Sequence, residues 1–259
     1  MPIPRSKNIN PESLAEELLT LYDDMNTTID NNKDILKNTK CHKGCSNCCH
    51  HYFGISNTEM MVILDYIEQK HHDLFYTYIN KGKELNSTFL HKFPRDYKDL
   101  DYIPPQNSQI ALLKTLHNKS HISLPCVFLN TETNSCDIYE VRPFICRFHG
   151  LFFNAQTTSP DWEVCSHIPS LQSNLSNMID GSTFYNRYLD NVLLQTIIIK
   201  GTEHKILGRL YPIFHLYYFM FKNSKYFNNI LTTPKFGGAL TYTRSEYMNT
   251  LKRFLGIPE

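Results

Sequence analysis

The chain has 259 residues, 41% of them hydrophobic and 20% charged, so it is long enough to bury a core and too apolar to be disordered. A formal net charge of +1 offers no electrostatic footprint for nucleic acid, and none is expected as a partner. No apolar run follows the basic residues Arg5 and Lys7, and the most apolar stretch, 210–221, is interrupted by Pro212 and His215. A membrane span needs roughly 20 apolar residues, so neither a secretory signal nor a span is expected. The expectation is a cytoplasmic protein, in which cysteines serve as metal ligands or reactive thiols rather than disulfides.

In chain order, Asn10, Pro11 and Glu12 read as an N-cap, a first helical position and an acidic first turn. Leu14, Leu18, Leu19, Leu21 and Tyr22 follow at helical spacing and predict one or two helices over 11–38. An irregular stretch comes next, Cys41-His42-Lys43-Gly44-Cys45-Ser46-Asn47-Cys48-Cys49, with a glycine where a tight turn wants one. Residues 51–55 suit a short extended segment, and Ser56 with Glu59 forms a capping box before a helix marked by Met60, Ile63, Leu64 and Ile67. Further helices are expected near 70–85 and 106–118, with 86–105, which carries Pro94, Pro104 and Pro105, as a loop.

Residues 125–129 and 135–139 flank a polar stretch and predict a small hairpin. Arg142 and Pro143 then suit a turn into a short helix bearing Cys146 and Arg147. Beyond about 170 there is no cysteine, and Tyr188, Val192, Leu193 and Ile197 recur at helical spacing. The aromatic stripe Tyr211, Phe214, Tyr217, Tyr218 and Phe221 is read as core rather than as a ligand pocket. The fold class expected is mainly α: a helical domain with an irregular cysteine-rich core and a small β-hairpin. A cysteine-bearing unit, 1–168, would carry a helical lobe, 169–259, packed on it or continuous with it. No repeat or strand–helix alternation points to a βα barrel or a Rossmann sheet.

All eight cysteines fall between 41 and 165: Cys41, Cys45, Cys48 and Cys49, then Cys126, Cys136, Cys146 and Cys165. Turns with short cysteine spacings let several sulfurs converge on one metal, and four thiols within nine residues are poorly explained as small core residues. The first cluster, followed by Thr58-Glu59-Met60-Met61-Val62-Ile63-Leu64, resembles the YkgJ-type cysteine-cluster proteins, a zinc- or iron-chelating domain family. Pro125-Cys126-Val127-Phe128-Leu129 and the run from Cys136 to Arg147 are similar to the second half of that family's pattern, with Cys165 in the place of a further cysteine. The resemblance covers 41–66 and 125–165. It implies a metal-ligand list more than a reaction.

Adjacent side chains point apart, so Cys48 and Cys49 sit awkwardly on one tetrahedral centre. One arrangement gives Cys41, Cys45 and Cys48 to one centre and turns Cys49 toward the downstream cysteines; a single centre with spare thiols is the other. An all-thiolate set suits zinc or an iron–sulfur cluster, and the departure from paired-knuckle spacing favours a 4Fe–4S cluster over zinc. Arg147, and with less weight Arg142, would offset the charge of such a centre, and His50 and His149 would orient or donate to its ligands.

Two functional readings follow. One is a metal-binding protein whose centre is structural, transfers electrons or senses. The other is a metalloenzyme of peptide or protein modification, such as an S-adenosylmethionine-dependent lysine methylase; the distant flagellin lysine methylases have a comparable cysteine cluster. Cys41, Cys45 and Cys48 also share the three-cysteine spacing of radical S-adenosylmethionine enzymes, but Asn47 stands where those often have an aromatic, and no barrel is readable. No nucleotide-binding glycine loop, zinc-protease helix or nucleophile elbow is present.

Overall fold

The computed structural model describes residues 11–37, 39, 41, 42, 44–50, 53–94, 124–154, 178–199 and 211–213. Over these the chain is mainly α-helical. Helix α1 spans Pro11–Asn31 and α2 Lys33–Leu36; α3 is Asn57–Lys70, α4 Phe75–Lys92, α5 Phe144–Phe148 and α6 Ser182–Ile199.

Helix α1 buries Leu14, Leu18, Leu21, Tyr22 and Met25, which fall at i, i+4, i+7, i+8 and i+11 on one face. Leu19 falls off that face and is 42% exposed, so it is no part of the stripe that its apolar character suggested. The buried face packs most extensively on α6 and next on α3. Asn191 of α6 donates to the Leu14 carbonyl at 2.9 Å, a satisfied polar contact inside this seam.

The capping box is present: the Glu59 backbone N–H donates to Ser56 Oγ at 3.2 Å, and the Ser56 N–H donates back to Glu59 Oε2 at 2.6 Å. Met60 to Leu64 are all buried, so α3 is enclosed on several sides rather than on one stripe. Helix α4 begins and ends later than the proline content suggests. Phe75, Tyr78, Ile79, Gly82, Leu85, Asn86 and Phe89 form one continuous buried face, which carries the helix through 86–92, where a loop was expected. The rest of that loop beyond residue 94, the helix expected at 106–118 and the N-cap at Asn10 lie outside the described residues, as does the chain beyond 213.

Strands are short. Strand β1, Gly54–Ile55, pairs antiparallel with β6, Tyr211–Pro212. The expected hairpin is β2, Leu129–Asn130, against β3, Ser135–Cys136. Its turn is built by Asn130, whose Oδ1 accepts from the N–H groups of Glu132 and Thr133 at 3.0 and 3.1 Å, and by Asn134 at φ +51°. Strand β4, Phe152–Phe153, pairs parallel with β5, Ile179–Asp180, and this brings the start of α6 onto α5.

Gly181 sits at that junction. A Cβ there would lie 2.5 Å from Phe148 Cε2 and 2.9 Å from Phe152 Cβ, inside ring and β-carbon packing that cannot retreat cheaply. Gly181→Ala is therefore expected to destabilise the protein by roughly 1–3 kcal/mol, read as a lower denaturation midpoint at unchanged denaturant slope.

Candidate metal centre

The first cysteine segment is a chain of tight turns. The Cys45 N–H donates to the His42 carbonyl at 3.0 Å, with Gly44 at φ +96°, a value that L side chains rarely adopt. The Cys49 N–H donates to the Ser46 carbonyl at 2.8 Å, and Asn47–His50 closes as a 3-10 turn carrying Cys48 and Cys49. With three residues per turn, successive side chains there project about 120° apart.

Three long-range links bring the other cysteines to this turn. The Cys126 N–H donates to the Cys49 carbonyl at 2.7 Å. Cys136 is held opposite Leu129 across the hairpin, three residues beyond Cys126. Helix α4 clamps that hairpin: the Tyr78 ring meets Phe128 edge-on, its hydroxyl donates to Asp137 Oδ2 at 3.2 Å, and Lys81 Nζ donates to the Leu129 carbonyl at 3.2 Å. At the end of α5, Thr39 Oγ donates to the Gly150 carbonyl at 3.2 Å, and the Cys41 sulfur lies 4.0 Å from the His149 carbonyl oxygen.

The electrostatics show which sulfurs share a neighbourhood. A hydrogen bond between the Cys48 and Cys49 thiols, helped by the charge of Arg142 and opposed by burial, lowers Cys48 to about 7. The same bond drives Cys49 far up, with burial and the charges of Cys126, Cys48 and Cys146 acting in the same direction. Burial, then the charge of Cys136, pushes Cys126 up to about 12, with Lys81 opposing. Burial likewise pushes Cys136 up to about 11, and it holds Cys146 well above the ordinary thiol value, with Cys48, Cys126 and Cys136 adding to the effect. Cys48, Cys49, Cys126, Cys136 and Cys146, from a turn, a hairpin and a helix, thus feel one another's charge. All seven described cysteines are free thiols.

Cys41 stands beside the end of α5 and Cys45 within its own turn, both half-buried; Cys165 lies outside the described residues. Among the described residues, no three Cys, His, Asp or Glu side chains form a preassembled group that could hold a metal ion. Thiolates rather than thiols bind metal, so loading would require deprotonation of the buried cysteines.

The two arginines divide their work in an order that residue order alone does not reveal. Arg147 is buried, with Nε donating to the Arg142 carbonyl at 3.0 Å, Nη1 to Asn26 Oδ1 at 2.9 Å and Nη2 to the Glu140 carbonyl, while its guanidinium covers the Tyr22 ring. It straps α5 to α1. Arg142 is the arginine whose charge acts on Cys48, Cys136 and Cys146, and its buried Nε has no hydrogen-bond partner. Positive charge near the sulfurs thus comes from Arg142, from Lys81 toward Cys126 and from Arg147 toward Cys146. Of the histidines, His50 ends the 3-10 turn with a buried, unpartnered Nδ1, and the His149 ring lies 5.3 Å from that of Phe53.

The donor chemistry fits a metal centre. Clustered soft sulfurs suit zinc or iron–sulfur ligation, and an orphaned guanidinium N–H beside them suits the anionic centre that several thiolates make. These sulfurs give the chain a cysteine-rich donor set of the kind that chelates metal. Residues 40–166, which contain all eight cysteines, match the family described as "Putative zinc- or iron-chelating domain". No curated protein and no solved structure matches the chain. Among the described residues no helix is long and apolar enough to cross a membrane.

Proposed function

We propose that the cysteines hold metal, with Cys48, Cys126, Cys136 and Cys146 as the thiolate set of one centre. An iron–sulfur cluster is preferred over zinc, in a structural, electron-transfer or sensing role within the reducing cytoplasm. Two observations support this: the Cys126 N–H bonds the Cys49 carbonyl, and the charge of Cys48 acts on Cys126, Cys136 and Cys146, with Cys49 also coupled to Cys126 and Cys146. Cys41, Cys45, Cys49 and Cys165 are left for a second centre or as exchangeable thiols. Arg142 and Lys81 supply positive charge against the thiolates, and His50 has a free ring nitrogen to give. The cluster preference rests on the adjacent Cys48 and Cys49 and on the long second segment, which depart from zinc-knuckle spacing.

The test is anaerobic purification with metal and acid-labile sulfide analysis and an absorption spectrum. Iron with matching sulfide and a broad visible band is the expected result. Equimolar zinc without sulfide overturns the cluster, and a metal-free chain that takes up neither overturns the whole reading. A spectral change on adding S-adenosylmethionine would move the protein to the enzyme class instead.

A further inference from the structure

Glu59 is 1% exposed, yet its carboxylate has a hydrogen-bond donor for every acceptor position it offers. Oε1 accepts from the Phe144 N–H at 2.7 Å and from the Tyr22 hydroxyl at 3.2 Å; Oε2 accepts from the Ser56 N–H at 2.6 Å and the Tyr188 hydroxyl at 2.7 Å. One side chain therefore joins α1, the cap of α3, the first residue of α5 and α6. A capping box needs only the Ser56 bond and works at a solvent-exposed helix end. The other three donors belong to elements remote in sequence, and they draw a carboxylate into a place where burial pushes its pKa up.

The bond to Phe144 has a particular consequence. Helix α5 has five residues, too few to hold its own conformation, and the Phe144 N–H is one of its unsatisfied first-turn donors. Cys146 comes two residues later, on the same turn of backbone. The Phe144 ring stacks on Tyr188 at 4.3 Å between centroids, and the Tyr188 hydroxyl binds the other oxygen of the same carboxylate. Arg147, three residues on from Phe144, covers the ring of Tyr22, whose hydroxyl also reaches Glu59. The start and rotation of α5 are thus fixed against α1 and α6 through one anion.

We propose that Glu59 is the positioning residue of the metal centre: by anchoring the first N–H of α5 it sets the Cys146 sulfur against those of Cys48, Cys126 and Cys136. This rests on the four-thiolate centre proposed above. Glu59 touches no sulfur and binds no metal itself; it acts through the helix that carries one ligand.

Glu59→Asp separates positioning from capping. An aspartate keeps the charge and can still serve Ser56 within its own turn, but one methylene less withdraws it from Phe144 on another element. The full-length chain, stripped of metal under reducing conditions, is titrated with Co2+ as the probe, and the sulfur-to-cobalt charge-transfer intensity per bound ion counts thiolate ligands. The expected result for Glu59→Asp is an intensity lower by about one thiolate in four and an affinity roughly 10–100-fold weaker, as for other residues that orient ligands. Asn191→Ala, which deletes the bond from α6 to the Leu14 carbonyl, is expected to lower the melting temperature and leave the cobalt spectrum unchanged. If Glu59→Asp does not fold by circular dichroism, the same variant is titrated in sucrose, which favours the folded state. Wild-type intensity and affinity in the folded variant, with only a lower melting temperature, overturn the proposal while leaving the metal reading intact. A wild-type chain that takes up no Co2+ overturns both.

Discussion

Replacing Cys126, Cys136 or Cys146 by serine is expected to weaken metal binding by about 100-fold for each substitution, measured by competition with a chromogenic chelator. A serine hydroxyl keeps the shape but does not ionise under conditions in which a thiol does, so the ligand is removed with little change in volume. Apparent free energies for structural zinc held by four ligands are roughly 10–16 kcal/mol at neutral pH, or about 3 kcal/mol per ligand. At 1.4 kcal/mol per tenfold this is about two powers of ten. Cys48→Ser should match them, because its charge reaches all three partners. Cys45→Ser is expected to do less at this centre, since Cys45 is placed by its own turn rather than by a contact with the hairpin or α5. Because binding energy is also folding energy, the loaded wild type should melt well above each variant, and metal-free forms should melt close together. Full metal content in all four variants would dissolve the assigned ligand set.

Local signals in the sequence translated directly into structure. The apolar face of α1 is written in a 3.6-residue period, the capping box at Ser56 and Glu59 is a contact within one turn, and Pro143 opens α5 where a proline costs no hydrogen bond. The hairpin between Leu129 and Cys136 was legible for the same reason. What escaped was non-local. Strands β1 and β6 pair two residues each across more than 150 positions, and two residues have no periodicity to read. The end of α4 was hidden because Pro94 and its neighbours suggested a loop, whereas Asn86 and Phe89 continue the buried face set by Phe75 and Tyr78.

At the site, the number of sulfurs and their turn were plain from spacing alone. Their division was not. Spacing alone does not show that the charges of Cys48 and Cys49 act on downstream thiols, where the Cys49 carbonyl holds the backbone of Cys126 at that end of the turn. Glu59 was visible only as a cap. Nothing near it in sequence announces Tyr22, Tyr188 and Phe144, which reach it from three other helices.

Loading the centre with a single divalent ion such as Co2+ is expected to release protons, between about three and four per ion at neutral pH. In the metal-free protein burial holds Cys136 at about 11, Cys126 at about 12 and Cys146 well above the ordinary thiol value, so all three are neutral near pH 7, while Cys48 at about 7 is half ionised. Each must become a thiolate to bind, and the logarithm of the affinity should climb by about three per pH unit between pH 7.5 and 8.5. Titration calorimetry in two buffers of different ionisation enthalpy measures the same count. The metal-free fold has the opposite dependence. Its buried thiols keep their protons to higher pH than the unfolded chain's, whose value is 9.0, so the folded state binds more protons above pH 9. Their stabilising contribution is complete below that value and is lost as pH rises toward 11 and 12. The loaded protein, which holds thiolates, instead loses metal and stability as pH falls, when protons reclaim the sulfurs. Opposite pH slopes for the two forms follow from burying thiols that function only as anions; uptake of metal without proton release would show that these sulfurs are not its ligands.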